Sequence, residues 1–333
     1  MIKMTKLCTL LAATVLSAGA AWAEVGNHVL RLGTPLPDAH PISQAAVKFA
    51  ELVAEKSGGK IEVKVYPGST LGNELQMQSA LQGGTQDFSI GTTTTLAGMV
   101  PEFSAIDMPY QFRTTAEADA VLDGAIGTQL FDKLAPKGLI GLAYMEQGFR
   151  HTTNSTRPIT KWEDFDGLKI RVQPSALYID MFNQLGANAV PMTINEVYTA
   201  METRAIDGHE NSLTAIDANK FQEVQTYLSL TGHSYNAVVL LMGQPSFDKL
   251  NDEEMQIIRA AAAEARDFQR DLTRKQAEGL LAKLAEDGME VNEVSPEEQQ
   301  RLAERLQPVV DANSAAIGAE WMESFGSAVQ ALR

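Results

Sequence analysis

The chain has 333 residues, 42 acidic against 27 basic side chains (net charge −15) and one cysteine, Cys8. That balance argues against nucleic acid and anionic membrane surfaces as partners. A lone cysteine leaves no disulfide framework and no cysteine metal site. An anionic small molecule stays possible, because an arginine pair can dominate the field inside a dry cleft.

The first six residues are short and basic. Residues 7–21 are apolar apart from Cys8, Thr9, Thr14 and Ser17, and Ala21-Trp22-Ala23 has the form of a cleavage site. This predicts a secretory signal peptide over 1–23, not a membrane anchor. About 310 cysteine-free residues then remain, enough for two domains. Loss of Lys3 and Lys6 from a net −15 leaves −17. No later window holds eighteen consecutive apolar residues, so a soluble, periplasmic product is expected.

Residues 28–32 and 60–66 read as strands around an amphipathic stretch at 43–56 that stops at Gly58-Gly59. Residues 74–82 read as a helix and 86–90 as a third strand, opening into a polar loop at 92–95. This β-α-β-α-β order predicts a mostly parallel sheet with helices on its faces. Ligands sit at the carboxyl ends of such strands. A strand-like run at 139–145 precedes Arg150. The second half repeats the alternation: strand 167–172, helix 176–185, strand 188–192, then Thr193-x-x-Glu196, a capping box opening a helix to 204. A further strand falls at 237–242. Residues 257–284, rich in Ala, Leu, Glu, Lys and Arg, predict one helix long enough to bridge two domains. Ser295-Pro296-Glu297-Glu298 opens another helix. Two α/β units with no flexible linker imply crossover strands.

In Gly167-Leu168-Lys169-Ile170-Arg171-Val172, Leu168, Ile170 and Val172 share one face, and Lys169 and Arg171 the other. Arg150 lies upstream, and Asp207-Gly208-His209-Glu210-Asn211 downstream. Arginines at strand ends with polar amides nearby suit a carboxylate clamp of bidentate hydrogen bonds. A solvated edge strand with structural ion pairs fits the spacing as well.

Catalytic signatures are missing. The sequence has no G-x-S-x-G, no phosphate-binding glycine loop and no dinucleotide fingerprint. His28, His40, His151, His209 and His233 lack metal-ligand spacing. The acidic pairs Glu253-Glu254 and Glu297-Glu298 open helices, where negative charge complements the dipole. No enzyme activity, cofactor or metal is expected.

Several ordered motifs resemble one family. They are Ile61-Glu62-Val63-Lys64-Val65-Tyr66-Pro67, Leu71-Gly72, Met108-Pro109-Tyr110-Gln111-Phe112, Gly148-Phe149-Arg150, Thr153-Asn154-Ser155, Arg157-Pro158-Ile159, Asp166 to Val172, Pro191-Met192, Glu196-Val197-Tyr198-Thr199-Ala200-Met201, Asp207 to Asn211, and Phe221-Gln222-Glu223-Val224-Gln225. Together they are similar to the solute-binding proteins of TRAP transporters, the tripartite ATP-independent periplasmic uptake systems, over essentially the whole mature chain.

The resemblance implies a type II periplasmic-binding-protein fold: two α/β domains around a ligand cleft, with a long hinge-spanning helix. Domain I would comprise 24–147 with about 236–275, and domain II 148–235 with about 276–333. It implies a monomer that captures a small organic acid and delivers it to membrane permease subunits. Arg171 occupies the position of the arginine that pairs with the ligand carboxylate. Arg150 and Asn211 match further contacts, and His209 replaces a common glutamine. Glu74, His40, Asn154, Tyr235 and Asn236 are second-tier candidates. Glu74 equally suits a helix N-terminus, and Asn154 its own turn. The polar complement favours a sugar acid such as a hexuronate. A C4-dicarboxylate or keto acid, and delivery to a sensor receptor, remain alternatives.

Overall fold

The structure is a computed structural model describing residues 24–333; the expected signal peptide and Cys8 lie outside the described residues. Nine strands form one mixed sheet: β1 (His28–Gly33), β2 (Ile61–Tyr66), β3 (Phe88–Thr92), β4 (Leu139–Asn154), β5 (Lys169–Val172), β6 (Asn188–Pro191), β7 (Gly208–Asn211), β8 (Tyr227–Gly243) and β9 (Glu290–Glu293). The order is β2-β1-β3-β8-β4-β7-β5-β6, with β9 paired to β8. β1 pairs in parallel with β2 and β3, and β5 with β6 and β7. Between these parallel ends, β8 runs antiparallel to β3 and β4, and β4 antiparallel to β7. The sheet is therefore two parallel α/β units, as the alternation of elements predicts, joined by an antiparallel pair of crossing strands.

The joining strands are much longer than their apolar cores. β4 has 16 residues and β8 has 17. Arg150 and Asn236 sit inside them, not beyond their ends. β4 shifts register against β8 between Glu146 and Gly148. Gly148 there has φ +102, which an L side chain rarely adopts. β5 is interior, between β7 and β6, so Arg171 is buried while Lys169 stays exposed. The solvated-edge alternative is excluded.

Helix boundaries follow local chemistry. The helix Pro41–Lys56 starts two residues before its amphipathic stretch, because His40 caps it and proline tolerates the first position. Asn73 with Gln76 forms a capping box for Glu74–Gln82, and Thr193 with Glu196 one for Ile194–Glu202. The helix Asp252–Glu286 has 35 residues, opened by the Asn251–Glu254 box. Its Ala261, Ala262 and Ala265 pack with Leu32, Phe49 and Val238, and its Leu284 packs with Val197, Phe221 and Leu228. One helix thus serves cores at both ends of the molecule. Among the described residues, no helix is long and apolar enough to cross a membrane.

At mid-length this helix is pinned to β4. Gln269 accepts from the Glu146 N–H (2.8 Å) and donates to the Glu146 carbonyl (2.6 Å) beside the register shift. Arg270 forks onto Asp123, and Arg274 reaches Glu146 and Asp119. The helix Pro296–Ile317 places Leu302, Leu306 and Val309 in the core around β5. The last helix, Ala319–Gln330, buries Phe325 and Val329 with Leu81, Phe103 and Leu130.

Three histidines are folded into this framework uncharged. Burial lowers His40, His151 and His209 to about 3, with cationic neighbours adding to it at His151 and His209. Each would take up a proton on unfolding below its ordinary pKa of 6.5. Their contribution to stability is therefore complete above about pH 6.5 and lost as pH falls towards 3. Asp107, which burial raises to about 7, acts in the opposite direction. His209→Gln should consequently reduce proton uptake on unfolding at pH 5.5 by about one, flattening the stability slope by ~1.4 kcal/mol per pH unit. Urea unfolding between pH 5 and 7 measures this; an unchanged slope would show that His209 is not held neutral.

Candidate functional site

The two parallel units meet over a narrow cavity at the carboxyl ends of β3 and β5. Pro35, Leu36, Glu74 and Thr92 line it from the first unit. Arg171, Gln173, Ile194 and Asn211 line it from the second. Gln147 and Arg150 come from the crossing strand β4. Arg171, Arg150, Asn211 and Glu74, all singled out from sequence, are brought together.

Arg171 is 2% exposed. Its Nε and Nη2 donate to the Met192 carbonyl at 2.8 and 2.5 Å. Among the described residues no carboxylate lies within ion-pair range of it. Burial, followed by the repulsion of Arg150, pulls its pKa down to about 10 against the attraction of Glu210 and Glu74. It remains charged at neutral pH, desolvated and without a counter-ion.

Arg150 differs. It is 1% exposed and forks onto the buried Glu210 through Nε and Nη2; Nη2 meets Glu210 Oε1 at 2.9 Å. Nη1 donates to Asn211 Oδ1 (3.1 Å) and Asn236 Oδ1 (3.2 Å). Burial alone would raise the Glu210 carboxyl, but Arg150 and His233 outweigh it and hold it down. The sequence reading of two arginines both awaiting a ligand acid is thus corrected: Glu210 neutralises one of them. Sequence reasoning missed this glutamate, which sits in full view beside Asn211. β-alternation turns it towards Arg150, a pairing that only the β4–β7 register specifies.

Glu74 opens its helix and reaches back to β3. Its Oε1 accepts from the Thr92 N–H (2.5 Å) and Oγ1 (2.9 Å). Burial raises its pKa, with Thr92 and the arginines pulling the other way. Glu74 thus stands at its helix N-terminus and on the cavity wall at once.

The other four candidates do not line the cavity. His40 caps its helix through Nδ1, accepting from the Ile42 N–H at 3.1 Å. Asn154 fixes its own turn, accepting from Thr156 and Arg157. Tyr235 packs edge-on between Phe112 and Phe149. Asn236 lies behind the wall, holding Arg150 on one side and donating to Asp107 and Thr94 on the other. Gln147 and Gln173 are lining residues that sequence reasoning missed; an isolated glutamine gives no pattern to find.

Chemically the cavity offers one unpaired cation, one carboxylate wall and several amides. Comparison with known proteins agrees with a binding site. The model of the bacterial extracellular solute-binding proteins, family 7, matches residues 32–316. The 2,3-diketo-L-gulonate-binding periplasmic protein YiaO of Escherichia coli is 39% identical over 82% of this chain and 84% of its own. The sugar-acid-binding protein DctPAm of Advenella mimigardefordensis, solved with galactonate, superposes with TM-score 0.91 at 39% identity, covering 93% of this chain and 100% of that one. A TRAP periplasmic solute-binding protein from a Sulfitobacter species, solved with β-D-galacturonate, gives 0.86 at 30% identity over 90% and 99%. The chain belongs to this family, the DctP family of TRAP transporter solute-binding proteins.

Proposed function

We propose that this protein binds a hydroxylated organic acid, best a sugar acid such as a hexuronate, as a periplasmic monomer and delivers it to the permease subunits of a TRAP transporter. It acts as a carrier and not as an enzyme. The observation that carries this reading is Arg171: a buried guanidinium on the cavity with no carboxylate partner. A desolvated, uncompensated charge is unfavourable, and a ligand carboxylate supplies the missing partner in a bidentate geometry.

Charge favours a monocarboxylate. Arg150 is already neutralised by Glu210, so a second ligand carboxylate finds no free cation among the lining residues. It would also approach Glu74. Relatives that bind C4-dicarboxylates exist, at 31% identity in the Rhodobacter capsulatus protein. Here the Glu74 wall suits hydroxyl donors better.

Arg171→Ala should lose at least roughly two orders of magnitude in sugar-acid affinity while staying folded, since removing one partner of a desolvated pair costs ~3–5 kcal/mol. Arg171→Lys should also bind poorly, lacking the planar fork. Calorimetry with galacturonate and galactonate tests both, and near-normal affinity for Arg171→Ala would sink the assignment.

Arg150→Met should act on the fold instead. It strands Glu210 in the interior and should cost ~3–5 kcal/mol of stability; adding Glu210→Leu should recover most of it. Denaturant titration of the three proteins decides: equal stability of Arg150→Met and the native chain would mean that the pair is not buried as described.

The cavity is narrow and roofed from both units, so ligand entry needs them to part. We propose two lobes, 24–147 with about 236–275 and 148–235 with about 276–317, the last helix riding with the first lobe. Ligand should reduce the radius of gyration in solution scattering without changing helix content. Superimposable curves with and without saturating ligand would favour a rigid site.

A further inference from the structure

We propose that Gln147 makes this site demand a hydroxyl, not merely an acid, from its ligand; the inference rests on reading the cavity as an organic-acid site. Gln147 is 4% exposed and lines the cavity from β4. Its orientation is fixed from outside. The Asn211 side-chain oxygen receives the Ser212 N–H (3.0 Å) and Arg150 Nη1 (3.1 Å), groups that only donate. That atom is therefore the carbonyl oxygen. Gln147 donates its own Nε2 to the same oxygen at 3.1 Å. Its Oε1 is left over, buried and without a partner.

An amide oxygen accepts and cannot donate. A ligand must bring hydrogen to it. A hydroxyl does so; a carboxylate or keto oxygen in the same place does not. Gln173 lines the same cavity, and no hydrogen bond fixes which way its buried amide faces, so it can turn either a donor or an acceptor to the ligand. Any oxygen satisfies Gln173, whereas only a hydroxyl satisfies Gln147. The pair therefore accepts a hydroxylated carbon and, through Gln147, discriminates against its deoxygenated or oxidised counterpart. Leaving a buried acceptor unpaired should cost about tenfold in affinity.

The test is calorimetry with D-galactonate, its singly deoxygenated analogues and succinate, on the native chain, Gln147→Met and Gln147→Leu. One deoxy analogue should bind the native protein about tenfold more weakly than galactonate. In the folded variants that ratio should approach one. A purely structural role would weaken every ligand alike and leave the ratio unchanged, which overturns the proposal. Should neither variant fold, the native series decides: equal binding across the deoxy analogues overturns it, and a tenfold step at one carbon supports it. If Arg171→Ala loses galactonate while Gln147→Met keeps every ratio, only this inference fails. A native protein that takes neither galactonate nor galacturonate overturns both readings.

Discussion

The buried pair between Arg150 and Glu210 sets the electrostatics of the cleft. Two guanidiniums in one nearly dry space would repel each other and each would forfeit its hydration. Glu210 removes one of those charges internally, fixed by two of its oxygens and by the strand register that faces it to β4. What remains is a site with one charge to neutralise. The same arginine also anchors Asn211 and Asn236, so that the cavity wall and the layer behind it are held by a single planar group. Asp107 and Thr94 extend the network into the first unit, and His233 extends it into β8. Site geometry and the joint between the two units are thus one hydrogen-bonded structure.

Much of this was legible in the sequence, for reasons that can be named. Arg171 announces itself because alternation in a four-residue strand separates it from its apolar neighbours. Glu74 announces itself as an acidic residue at the start of a helix, just after Leu71-Gly72. The long helix is visible in its composition. The crossing strands were only half visible, because β4 and β8 turn polar where they pass between the units: Gly148, Arg150 and Thr152 on one, Ser229, Thr231, Ser234 and Asn236 on the other. Those polar groups are satisfied by tertiary partners that no local pattern reports. His40 and Asn154 show the local counterpart: their side chains satisfy backbone groups two or three residues away, as a cap and, as the sequence also allows, a turn.

The register shift in β4 shows a similar division between local and non-local cause. Gly148 can be read as permissive from sequence alone. That Gln269 supplies both hydrogen bonds to Glu146, in the manner of a neighbouring strand, cannot. It couples the middle of the long helix to the point where β4 loses register. Arg270 and Arg274 on the same helix add charged contacts to Asp119, Asp123 and Glu146. The backbone on either side of Gly148 is thus firmly held, by Gln269 at Glu146 and by Glu210 at Arg150.

The sheet order also bears on when the protein can fold. β8 is the strand that joins β3 to β4, yet it is completed only at Gly243. Until then β1, β2 and β3 form a three-stranded fragment with an open edge, and the core around Leu32 and Phe49 lacks both Val238 and the alanine face of the long helix. Contacts so distant in sequence are slow to form. The first core can therefore close only once the chain has reached the long helix, so native packing of the unit that begins at β1 waits for residues more than two hundred positions downstream.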